Sequence, residues 1–217
     1  MTVLDHVFIF CSAGAPEGAT LARLGLVEGI PNTHPGQGTA CRRFFFRNAY
    51  LELLWVRDVE EAQNPLSAPT RLFERWSGRQ NGASPFGVVL RPDGAEAGAP
   101  PFLSWQYRPR FLPSNVPLEV AVGTRLSEPE LFYLGLPRHP GDMGDQPVEH
   151  IAPLREITSV RISVPAPPTE ALRALEATEL VSFVVAPSPL LELGFGAKPG
   201  SVATADVRPE LPLVLRW

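Results

Sequence analysis

Apolar residues fall into short runs separated by turn-forming residues. Residues 3–10 are β-branched and aromatic, with Leu4, Phe8 and Phe10 on one face and Val7 and Ile9 on the other. A strand apolar on both faces belongs inside a sheet that is covered on both sides. Residues 16–24 predict a short helix, with Gly25 placed to end it. Residues 40–47 and 49–56 predict two strands joined by a tight turn at Arg47-Asn48. A second helix is expected over 69–77, where Leu72, Phe73 and Trp76 have helical spacing and Gly78 follows. Residues 84–91 read as a strand, and 100–109 and 117–123 as less regular ones. The stretch 134–150 reads as an irregular connection whose histidines, His139 and His150, are expected in solvent.

The opening order then returns. A strand is expected over 156–164, and a helix over 169–177 with Leu172 and Leu175 inward. Residues 180–185 and 190–195 are expected to form a hairpin across Pro187 and Pro189, and 211–217 a last strand. LVSFVV…LLELGF parallels CRRFFF…YLELLW, and LPLVLRW parallels SPFGVVLR. This order reads as a diverged internal repeat of a βαβββ unit. The expected fold class is α+β: paired βαβββ modules with curved mixed sheets forming a cleft. The modules are expected at 1–92 and 156–217, with connecting strands and loops over 93–155, all within one unit of 217 residues.

Composition narrows the function. A hydrophobic content of 44% builds a core rather than a disordered chain. The 25 prolines sit mostly in connections and stiffen them. A net charge of −4, with no run of basic residues, argues against nucleic acid as a partner. Asp5 and His6 interrupt the apolar start, no basic segment precedes it, and no apolar run is long enough for a bilayer. A cytoplasmic protein without a membrane partner is expected. Cys11 and Cys41 make neither a disulfide framework nor a zinc motif, and reduced, packed thiols are expected. Arg42 and Arg43, beside Cys41 in the chain, would lower its pKa if they faced it.

Candidate chemistry sits on the strands. Glu52 interrupts an apolar run between Tyr50 and Leu54, and a carboxylate there needs a partner, a proton or a metal. Arg42 or Arg43 across the hairpin could supply the partner. Glu192 repeats the pattern in the later half, either as a ligand or as a structural, partly exposed acid. His6 is either a packed histidine or a ligand. His34 lies in the loop HPGQGT, whose glycines admit a close ligand, unless the loop simply covers a sheet end. Trp105, Tyr107 and Arg108 form an aromatic and basic cluster suited to a small organic ligand or to ordinary packing. Arginines such as Arg43 would hold an anionic group.

The runs LDHVFIF, HPGQGTACRRFFFRNAYLELLWV, PTRLFERWSGR, ASPFGVVLRP and LPLVLRW resemble the glyoxalase-like domains of the vicinal-oxygen-chelate superfamily. The resemblance implies a cleft between two modules and a divalent metal that polarises a carbonyl or vicinal oxygens. It places His6 at the first-strand ligand position and Glu52 at the carboxylate position, with Glu52 also the expected catalytic residue. For the second pair it offers Phe86-Gly87-Val88 in place of a histidine, or Ser159 with Glu192 or Val214. Glyoxalase I activity itself is therefore not expected. The metal set is His6, Glu52 and Glu192; the substrate set is His34, Arg43, Trp105, Tyr107 and Arg108. Lyase, isomerase and dioxygenase chemistry all fit such a site. The alternative is a metal-free protein that binds or sequesters a small molecule, and pairing into a homodimer fits either. The resemblance also implies Asn where this chain has Cys41.

Overall fold

A computed structural model describes residues 1–94, 98–137, 144–196 and 203–217; His139 lies outside them. The class is α+β, built on two mixed sheets. The first has eight strands: β1 (Thr2–Phe10), β2 (Asn32–His34), β3 (Thr39–Phe45), β4 (Tyr50–Val56), β5 (Phe86–Pro92), β6 (Ser104–Tyr107), β7 (Leu118–Ala121) and β8 (Glu130–Leu134). Their order is β2-β3-β4-β1-β5-β8-β7-β6. The second has β9 (Ile157–Val164), β10 (Ser182–Val185), β11 (Leu191–Phe195), β12 (Thr204–Asp206) and β13 (Leu213–Arg216), in the order β10-β9-β11-β13-β12. Four short α-helices accompany them among the described residues: α1 (Gly18–Arg23), α2 (Val59–Ala62), α3 (Leu72–Gly78) and α4 (Glu170–Glu176).

The alternation of side chains divides the molecule into two cores. Val7, Ile9, Leu51, Leu53, Val88 and Leu90 of the first sheet join one cluster with Val160, Ile162, Leu191, Leu193, Leu213 and Leu215 of the second. Leu21 of α1 and Leu172 and Leu175 of α4 belong to it. Phe8, Phe10, Cys41, Leu54, Val89 and Phe132 point the other way, into the concave face of the first sheet. Strand β1 is thus apolar on both faces because it lies between two cores.

The hairpin at Arg47-Asn48 forms as expected, with the Phe46 amide donating to Ala49 O at 2.8 Å. Its tip is pinned to β9: Asn48 Nδ2 donates to Ile157 O, and the Ile157 amide donates back to Asn48 Oδ1. The later half departs from the expected hairpin. β10 lies parallel to β9 on one side and β11 antiparallel to it on the other, so 180–185 and 190–195 never pair. The reason is α4, which turns β9-α4-β10 into a crossover unit that needs its two strands parallel. The second sheet therefore has a different strand order from β3-β4-β1-β5.

Residues 93–155 also do more than connect. They contribute β6, β7 and β8, and β8 pairs in parallel with β5. The run ELFYL of β8 follows a proline and precedes a glycine, so its short apolar stretch carried little periodic signal. With these strands attached, the first sheet curls around its own cavity. That cavity lies inside the sheet, lined by residues between Asp5 and Leu134.

Candidate functional site

The cavity has a volume of about 250 Å³. Its polar end is lined by Asp5, His6, Asn32, His34, Gln37, Tyr50 and Glu52, and its apolar end by residues that include Phe8, Leu54, Val89, Phe132 and Leu134. The loop after β6 covers one side with Phe111 and Leu112.

A β-bulge prepares the polar end. Leu4 pairs with Leu90 and His6 with Val89, so Asp5 is an extra residue on β1. Neighbouring strand residues normally face opposite ways; the bulge turns Asp5 to the same side as His6. His6 Nδ1 lies 2.7 Å from Asp5 Oδ2, while Asp5 Oδ1 accepts from Arg91 at 3.0 Å. A carboxylate paired with a guanidinium only accepts, so Nδ1 carries the hydrogen. His6 Nε2 then faces Glu52 Oε2 at 3.6 Å, with the ring stacked on Tyr50 at 4.3 Å. Burial pushes the Tyr50 phenol well above its usual range, keeping it a neutral wall.

The second histidine, expected in a loop, is the last residue of β2, paired with Thr39 across the turn into β3. The His34 carbonyl accepts from the amides of Gln37 and Gly38. A Cβ on Gly38, whose φ is +75°, would lie 2.2 Å from Asp58 O, so only glycine fits. Glu61, Asn64 and Ser67 hold the Gly36 backbone. Thr39 Oγ1 accepts from Gln37 and shares a 2.8 Å hydrogen bond with His34 Nδ1. His34 Nε2 lies 4.0 Å from Glu52 Oε1, and its ring meets Phe111 at 4.8 Å. Burial holds the His34 pKa below its ordinary value, outweighing the opposing pull of Glu52.

Glu52 is 4% exposed and stands between the two imidazoles. Neither expected arginine reaches it. Arg42 pairs with Glu28, and Arg43, although directly opposite Glu52 in the ladder, donates to Ile30 O and lies over Phe45. Among the described residues, the nitrogen groups within ion-pair distance of Glu52 are the two imidazoles alone. The Cys41 sulfur and a Glu52 carboxylate oxygen lie within 4.8 Å of each other. Burial first, and the Glu52 charge second, push that thiol well above the ordinary cysteine range. Arg43 pulls the other way, but burial and Glu52 outweigh it, so the net shift is upward.

Other expected site residues lie elsewhere. Glu192 sits on the second sheet, where Arg216 donates to it at 2.6 Å and Arg161 lies at 3.9 Å. It is not brought together with His6 and Glu52. Ser159 is exposed on β9 and Val214 is buried on β13, both in that second sheet. Tyr107 is buried against Ser67 at 3.2 Å, Trp105 packs beside it, and Arg108 is exposed and donates to Ser114 O and Gln106. None of these three, nor Arg43, lines the cavity. At Gly87, opposite Phe8, an added Cβ would meet the Phe8 ring at 1.9 Å, so the aromatic ring fills the place where the resemblance would put a histidine. His150 is buried at 4% exposure rather than solvated; its Nδ1 accepts from the Val27 amide at 3.0 Å. The sequence reading missed Asp5, whose bulge leaves no mark on the apolar pattern, and Gln37, Phe111 and Leu112, which tertiary contacts alone deliver.

The donor types fit a divalent metal. Bonds of about 2.0–2.3 Å to tetrahedral zinc put ligand atoms about 3.3–3.8 Å apart. The 3.6 Å gap between His6 and Glu52 falls in that range, and the 4.0 Å gap to His34 lies just beyond it. The Asp5–His6 contact is the carboxylate–imidazole arrangement that orients metal ligands.

The profile of the glyoxalase-like domain family matches residues 4–127, which is more than half of the chain. No protein with a curated description matches the sequence. A crystal structure of a hypothetical protein from Staphylococcus aureus superposes with a TM-score of 0.52 at 8% identity, covering 100% of this chain and 99% of that one; it shares the fold. Among the described residues no helix is long and apolar enough to cross a membrane. The family match takes in β1, the His34 loop, Cys41 and Glu52 together, and the chain belongs to the glyoxalase-like domain family of the vicinal-oxygen-chelate superfamily.

Proposed function

We propose that the cavity takes a small organic molecule and that Glu52, with His6 and His34, holds a divalent ion against its oxygens. One observation carries this reading. Of the buried acids, Asp5 pairs with Arg91, Glu130 with Arg75, and Glu128 accepts from Thr169 and the Arg125 amide. Among the described buried acids, Glu52 alone faces imidazoles and a thiol in place of a guanidinium or backbone amide. A lone pair on His6 Nε2 pointing at a carboxylate 3.6 Å away is repulsive unless a proton or a metal ion lies between them.

The ion would polarise a carbonyl or a pair of vicinal oxygens, as lyase, isomerase and dioxygenase chemistry requires. The protein's own part is to orient His6 through Asp5, to place Glu52 for proton transfer beside the polarised group, and to exclude water with the apolar end. A volume of about 250 Å³ suits a compact ligand. The apolar end favours a second reading, a metal-free protein that sequesters such a ligand.

Titration of the full chain with zinc, nickel, manganese and iron(II) by calorimetry tests the choice. One ion per chain is expected, with affinity reduced about 100-fold or more by Glu52→Gln and by His6→Ala. A wild-type chain that binds none of these ions would overturn the metal reading and leave the metal-free one.

A further inference from the structure

Cys41 lies on β3 with its side chain on the concave face, opposite Leu54 of the cavity wall. It is fully buried and belongs to the same cluster as Phe8 and Phe132. In those surroundings alone it would be an ordinary packed thiol. Two neighbours change that. His34 and Glu52 each present a donor atom, and these atoms and the Cys41 sulfur all lie within 4.8 Å of one another. Closing that spacing to the distances around a bound ion takes about 1 Å, within reach of small side-chain rotations. Cys11 provides the contrast: equally buried, its thiol donates to Ile9 O at 3.3 Å.

We propose that Cys41 is a sulfur ligand of this metal site, joining His34 and Glu52, and that it biases the site towards borderline-soft ions such as zinc and cobalt(II) over manganese or magnesium. The inference rests on the metal reading above and deepens it. Thiolate donors favour the softer ions, whereas a site of imidazole and carboxylate alone also accepts manganese. As the sulfur–metal bond forms, the thiol proton leaves to solvent and the sulfur keeps the electron pair it donates. No oxidant or reductant is involved. Without an ion, burial and Glu52 keep the sulfur protonated; a divalent cation offsets both effects. The charge of the site follows. A thiolate and the Glu52 carboxylate together cancel a divalent charge, so the loaded site is neutral and favours an uncharged substrate oxygen over an anionic chelate.

Cobalt(II) titration of the full chain, followed by absorption, tests this directly. The expected spectrum has visible d–d bands and an intense near-ultraviolet sulfur-to-cobalt charge-transfer band. That band should vanish in Cys41→Ser and Cys41→Ala, with the visible bands retained, and should persist in Cys11→Ala. The preference for zinc over manganese should fall about tenfold in Cys41→Ser. Visible bands without the near-ultraviolet band in the wild type would overturn the sulfur ligand while leaving the metal reading intact. A band that survives in Cys41→Ala would overturn it as well. Absence of any cobalt spectrum would sink both. Absence of the near-ultraviolet band in the wild type is decisive even if a variant fails to fold; where the band is present, its persistence in Cys11→Ala assigns it to Cys41.

Discussion

Two strands of this chain carry the same triplet, Leu-Glu-Leu, and use its glutamate in opposite ways. In β4 it is Leu51-Glu52-Leu53; in β11 it is Leu191-Glu192-Leu193. All four leucines are fully buried, and all four belong to the core shared by the two sheets. Strand alternation sends each glutamate away from that core. Each also has an arginine directly across the ladder, Arg43 for Glu52 and Arg161 for Glu192. The difference is what lies beyond. The outer face of the second sheet is open, so Glu192 stays partly exposed and pairs with Arg216. The corresponding face of the first sheet is closed by β6, β7, β8 and the His34 loop, and Arg43 is drawn away to Ile30 O. The same local sequence thus gives a surface ion pair in one place and a buried carboxylate between two imidazoles in the other.

The comparison can be tested by perturbing acids in each setting. The largest effect is expected at Glu130, which shows how a purely structural acid is buried here. Its partner Arg75 is fully buried at 2.8 Å. Burial drives the arginine pKa down and the carboxyl pKa up, so each depends on the other. Arg75→Met should cost about 3–5 kcal/mol in denaturant unfolding, and replacing Glu130 with Leu in the same chain should recover much of it. If Arg75→Met were neutral, the contrast between paired and unpaired buried acids would lose its basis. Next is Asp5→Asn, which keeps the shape at the bulge but weakens the orientation of His6. Metal affinity measured by calorimetry should fall about 10- to 100-fold, with the fold intact by circular dichroism.

A smaller effect concerns pH. His34 and His150 are both held below the ordinary histidine value chiefly by burial. Each binds a proton more weakly folded than unfolded. Their contribution to stability is therefore present above the unfolded value of about 6.5 and is lost as pH falls through it towards the folded value. His150→Gln should flatten the fall in Tm between neutral and mildly acidic pH; an unchanged slope would remove His150 as a contributor. The smallest effect is expected for Glu192→Gln, which removes a partly exposed ion pair. It should cost at most about 1 kcal/mol and leave metal binding unaltered. A loss of metal binding in that variant would show that the two triplets are not functionally distinct.

Much of the first sheet was legible from residue pattern alone. β1, β3, β4 and β5 follow from short β-branched and aromatic runs, and the turn between β3 and β4 from Arg47-Asn48. β8 and β12 were not legible, because each is a short strand whose identity depends on finding an open edge to pair with. The partner of β10 was equally hidden, since a helix between parallel strands and a proline-rich turn between antiparallel ones are both consistent with the sequence of that segment. Of the candidate site, His6, His34 and Glu52 stood out as polar groups in apolar or glycine-rich settings, and all three line the cavity. Trp105, Tyr107, Arg108 and Arg43 stood out for the same kind of reason and do not line it.

By itself, the sequence determined which side chains share a face, because alternation along a strand is local. It required that a carboxylate among leucines on β4 find a partner, because the cost of burying charge does not depend on the fold. Only the tertiary structure decided what that partner is. The bulge at Asp5, the retreat of Arg43 and the closure of the sheet by β6 to β8 are non-local events. They bring together His6, His34, Cys41 and Glu52 from separate strands. A carboxylate surrounded by donors that lack a fixed positive charge is a property of that assembly alone.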